Sequence, residues 1–158
     1  MKNLLFLFAL TFLTFQLHGQ TSQDCGTVSF KTKEEVKASE PCILEFSEYI
    51  LSKPSGKDDA LGLKYRQLVL LWMEKTEHTF TLSEKIMKVF KKDNTLLFGA
   101  YTAALSKAAI TEKENFGKKG LGLFVEYVKK PENKVGQSKE IKQLIADWDK
   151  GNIEAYLK

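Results

Sequence analysis

The chain is short of the residues that most chemistry needs. Of 158 residues only two are histidine, two cysteine, three proline and one arginine. Beyond the first twenty positions His78 is the sole histidine, and Cys25 and Cys42 stand seventeen residues apart. Zinc sites draw on clustered His and Cys at helical or loop spacing, so a zinc centre is not expected. Asp58-Asp59 and Asp147-Trp148-Asp149 are too sparse for a calcium loop, which alternates oxygen ligands and closes on a glutamate. The lone Arg66 argues against a nucleic-acid partner, because bidentate recognition of phosphate and guanine favours the guanidinium fork. No phosphate-binding motif is present. Gly117-Lys118-Lys119-Gly120-Leu121-Gly122 matches neither the dinucleotide nor the P-loop spacing and reads as a loop and helix start. No cofactor is implied.

What is present begins with an export signal. Lys2 precedes an apolar run over residues 4–17, and Leu17-His18-Gly19-Gln20 places a small residue near a cleavage point after Gly19 or Gln20. The run is short for a membrane span, which takes roughly 20 apolar residues, so an uncleaved anchor is the weaker reading. Cys25 lacks the lead-in of a lipoprotein signal. The expectation is a signal peptide over 1–20, an N-terminal arm over 21–40 and a helical domain over 41–158, exported to the periplasm or secreted. In an oxidising compartment Cys25 and Cys42 are a disulfide pair, with a reactive Cys42 thiol after Pro41 as the alternative.

The mature part reads as all-α, a single bundle of about six helices. Composition is 43% hydrophobic and 28% charged, which suits a packed core. Residues 96–110 are apolar nearly all round and form the central buried helix. Their weakly polar members, with Thr95, make a narrow strip of Thr95, Gly99, Thr102 and Ser106. This strip is expected to be a close helix contact, its hydroxyls bonding back to carbonyls one turn earlier. Pro41 opens a helix carrying Ile43, Phe46 and Ile50. Leu61, Tyr65, Leu68 and Trp72 form a second stripe, and Leu63 and Leu70 on its far side suggest a helix sandwiched between neighbours. Ile86 and Val89 lie opposite a basic face of Lys85, Lys88 and Lys92, read as solvated. Residues 111–119 read as a polar loop, followed by a helix packing Phe124 and Val128 up to Pro131. Ile141, Leu144, Ile145 and Trp148 mark another, stopped by Gly151.

No catalytic constellation emerges. Glu74-Lys75-Thr76-Glu77-His78-Thr79 is the best acid/base cluster, but no nucleophile is placed beside it and His78 reads as a loop histidine. Several segments resemble a family of small, exported, uncharacterised bacterial helical proteins. They are Ile43-Leu44 through Tyr49-Ile50-Leu51-Ser52-Lys53-Pro54, Leu71-Trp72-Met73-Glu74-Lys75-Thr76 with Phe80, and Leu96-Leu97 with Tyr101, followed by the closing helices. The family pattern has a proline where Glu77 stands. The resemblance implies an exported helical fold and assigns no functional residues. The expected function is a non-enzymatic module that binds another envelope protein or scaffolds an envelope process. The alternative is a carrier of a small apolar ligand between helices, with Trp72, Tyr101, Thr102 and Ser106 as its candidate binding residues. A carrier requires an internal cavity of roughly 300 Å³; a binding module requires exposed apolar surface.

Overall fold

The structure, a computed structural model, describes residues 25–54, 56, 59–90, 95–112, 114–136 and 138–158. The signal peptide expected over 1–20 lies outside the described residues, as does Lys92 of the basic face. Among the described residues there is no strand, and eight α-helices pack together: α1 Lys33–Ala38, α2 Glu40–Ser52, α3 Ala60–Lys75, α4 Glu84–Met87, α5 Thr95–Thr111, α6 Phe116–Lys129, α7 Lys139–Asp149 and α8 Glu154–Leu157. Short 3-10 turns follow α4 and α6. The all-α bundle is as expected; the short α1 and α8 raise the number of helices to eight.

α5 is the centre. From Gly99 to Ser106 every residue is buried, and α2, α3 and α6 all pack on it. Its alanines 100, 103, 104 and 108 keep it thin, so its neighbours approach closely. The tightest approach is to α6. A Cβ on Gly120 would stand 2.9 Å from Leu105 Cα and 3.2 Å from the Ala104 carbonyl oxygen. Gly120 therefore marks a backbone contact, and the glycine–lysine stretch read as a loop start is already helical from Phe116. Asn115, at φ 57°, turns the chain into α6, and Phe116 anchors it against Phe80 at 5.6 Å between ring centroids. Two residues after Gly120, Gly122 admits the Trp148 ring of α7, 2.7 Å from where a Cβ would sit.

The strip on α5 meets α3, as a helix contact, and at Gly99 it does so through a side chain. Gly99 is covered by the side chain of Arg66, whose Cδ would lie 2.5 Å from an added Cβ. The chain's one arginine is thus a core residue, 5% exposed, laid along α5. α3 is not sandwiched. Its Val69 and Trp72 face the core, while Leu61, Leu63 and Leu71 remain exposed. The inference from two apolar faces failed because exposed leucines are common where polar surface is insufficient to cover a fold.

Capping follows local chemistry. Thr32, Asp59, Ser83 and Ser138 each accept from a backbone N–H three residues on, satisfying donors that have no intrahelical partner. Residues 25–39 feed the same core: Val36 is buried, its carbonyl accepts from Trp72 Nε1 at 3.2 Å, and Cys25 is bonded to Cys42. Both cysteines are spent in that bond, so the free-thiol alternative for Cys42 is ruled out. No helix among the described residues is long and apolar enough to cross a membrane.

Candidate functional site

Three places bring together side chains that the sequence keeps apart. The first surrounds Tyr101. α5 delivers its ring into an aromatic cluster, 5.4 Å from Phe90 and edge-to-face with Phe124 at 5.2 Å. The residue is 1% exposed, and burial alone pushes its phenol up to about 12, so it is neutral at any physiological pH. Tyr101 forms one wall of a depression of about 110 Å³, together with Phe80, Leu105, Phe116 and the C-terminal Leu157.

The second is a groove of about 760 Å³ between α1 and the end of α3. His78 stands on its wall, held among Trp72, Phe80 and Phe116 at 5.8, 6.4 and 5.9 Å. Its neighbour is Glu40, with Nε2 3.8 Å from Oε1, rather than the sequence-adjacent Glu74 or Glu77. Glu77 instead meets Lys33 at 3.0 Å, a rim contact in full solvent. Lysines 33, 37 and 75 balance glutamates 34, 40 and 77 around the groove, so it presents no net field to an ion. Among the described residues no group of three His, Cys, Asp or Glu side chains is placed to hold a metal.

The third is a buried polar cluster that sequence reasoning missed. Asp147 on α7 is 8% exposed. Its Oδ2 accepts from Lys85 Nζ at 2.8 Å and from Tyr156 OH at 2.9 Å, and Oδ1 accepts from Gln143 at 2.7 Å. Lys85 also lies 4.1 Å over the Tyr156 ring. The Lys85 ammonium, then the Tyr156 hydroxyl, hold the Asp147 carboxyl below the usual range, and Asp147 raises Lys85 in turn. Every oxygen of the carboxylate is committed to a neighbour, which suits a structural tie between α4, α7 and α8. Asp147 reads as helix-end charge and Lys85 as solvated because 62 positions separate them; no local signal links the two.

The four residues expected to hold a ligand do not form one site. Trp72 is fully buried and tied to Val36. Thr102 Oγ1 donates to the Gly99 carbonyl at 3.0 Å, the expected back-bond. Ser106 is buried, its hydroxyl without a partner among the described residues. None of these three lines the Tyr101 depression or the His78 groove; of the four, Tyr101 lines the first of these. A comparison with protein-family models, curated proteins and solved structures finds no match to the chain, so these side chains carry the functional reading by themselves.

Proposed function

We propose that this protein is an exported, non-enzymatic helical module that docks another protein of the cell envelope. The observation that carries the reading is the outer face of α3. Leu63 and Leu71 are 38% and 41% exposed, with half-buried Leu70 beside them and Lys64, Gln67 and Glu74 interspersed. At 100° per residue these leucines fall within about one third of the helix circumference, with Gln67 and Glu74 between them and Lys64 at one edge, a mixed apolar and polar stripe. Such stripes are what a partner helix or strand covers. The apolar start of the chain, the disulfide and the resemblance to small exported helical proteins support the envelope setting.

The test is affinity capture from the native envelope with the mature protein and with a Leu63→Glu/Leu71→Glu variant. The fold of the variant is checked by circular dichroism, since both positions lie outside the core. A partner retained by the wild type and lost from the folded variant is the expected result. Identical capture by both proteins would refute docking through α3. The mass of the protein recovered from the envelope tests export separately: loss of the first 19 or 20 residues is expected.

A further inference from the structure

Small-molecule sites set a few placed polar groups among apolar walls. Tyr101 carries such a group, and it is a wall of the 110 Å³ depression. Phe80, Leu105, Phe116 and Leu157 supply apolar walls beside Gly117 and Tyr156, with Thr79 and Thr81 exposed at the rim. The neighbouring Tyr156 hydroxyl is already committed to Asp147. We propose that the Tyr101 hydroxyl opens into this depression and that the site takes a small ring-shaped or branched apolar molecule bearing one acceptor oxygen, to which Tyr101 donates.

Size and chemistry both bear on the ligand class. Apolar protein cavities of about 150 Å³ admit benzene, so 110 Å³ suits about six non-hydrogen atoms, with the open side accommodating the rest. The aromatic and leucine walls supply the apolar contact, and one polar group fixes orientation, the usual division of labour in small-molecule sites. Because the phenol stays neutral, the site offers a donor without charge and selects carbonyl, ether or alcohol oxygens over cations. This narrows the carrier reading from four residues to one, and the site is separate from the α3 face.

The experiment titrates the full mature protein with cyclohexanone, which has an acceptor oxygen, and with methylcyclohexane, which has none. Aromatic carbon–proton NMR spectra follow the rings of Phe80, Tyr101 and Phe116. Saturable shifts at these rings with cyclohexanone are expected, with affinity at least tenfold weaker in Tyr101→Phe and methylcyclohexane binding unchanged by that substitution. Gly117 lines the depression and an added Cβ there would meet nothing closer than Leu157 Cδ2 at 4.0 Å. Gly117→Leu should fill the space, keep the fold and abolish binding of both probes. Absence of saturable shifts, meaning a depression that holds only water, would overturn the proposal. So would equal cyclohexanone affinity in wild type and Tyr101→Phe. Either result leaves docking through α3 standing.

Discussion

At the scale of single residues, two glycines of α6 separate packing from propensity. Alanine in a helix is favoured over glycine by up to about 1 kcal/mol. At Gly117 an added methyl meets only Leu157 Cδ2, at 4.0 Å, an ordinary contact, so Gly117→Ala should stabilise, by about 0.5 kcal/mol in the first turn. At Gly120 the same methyl would sit 2.9 Å from Leu105 Cα, and a backbone atom cannot rotate away. The helices must part, at a cost of about 1–3 kcal/mol that outweighs the propensity gain. Gly120→Ala is therefore expected to lower stability by about 1–2 kcal/mol in urea titrations, and equal effects at the two sites would contradict the packing account. Gly99→Ala falls between them, because its clash is with Arg66 Cδ and Cγ, side-chain atoms that can shift but are buried. These distinctions are invisible in sequence. Glycine beside lysine reads as a turn, and only the α5 backbone passing 3 Å away reveals what it is for. The Thr102 back-bond, by contrast, was legible, since a hydroxyl inside a buried helix has a carbonyl one turn earlier within reach.

Among elements, the informative unit is the tie between α4, α7 and α8. α4 and α8 have four residues each, too few to persist without tertiary contacts. Ile86 and Tyr156 are buried, but orientation is set by Asp147, which holds Lys85 and Tyr156 on a single oxygen. The carboxyl is depressed when folded, so its contribution is full above the ordinary aspartate range and disappears as pH falls through the lower folded value. The Lys85 contribution has the opposite sign: its ammonium is raised, so it persists below the ordinary lysine range and disappears as pH rises through the folded value. Between these limits the cluster is complete. Asp147→Asn should cost about 2 kcal/mol at pH 7, a value set by hydrogen bonds to a charged group and moderated by the solvent that reaches Lys85. Urea midpoints measured from pH 7 to pH 2 should fall less steeply in the variant than in the wild type. Parallel profiles would show that Asp147 is not the titrating tie. Element existence was readable here: Ile141, Leu144 and Trp148 mark α7, and the all-round apolar 96–110 marks α5. Which elements meet was not, because a carboxylate and a lysine 62 positions apart leave no periodic trace.

For the whole molecule, the question is what holds the first described residues to a core that lies mostly beyond them. Trp72 Nε1 on the Val36 carbonyl and the Cys25–Cys42 bond both reach back to this segment. The sequence separation of the bond is 17, and closing a loop of that length removes about 3 kcal/mol of unfolded-chain entropy. The pairing was legible because the count is two and the compartment expected from residues 1–20 is oxidising. The core role of Val36 was not, since one valine in a charged stretch has no partner stripe. If the bond acts through the unfolded chain, a Cys25→Ala/Cys42→Ala variant should keep the helical far-ultraviolet spectrum and unfold with about 3 kcal/mol less stability. Its denaturant slope should rise, because the released unfolded chain exposes more surface. Reduced wild type should match the variant in both stability and slope. A variant that instead loses helix signal under native conditions would place the bond among the contacts that build α1 and α2. The α5 core, with Ala100, Ala104 and Phe124 all fully buried, would then depend on its N-terminal cover for more than unfolded-state entropy.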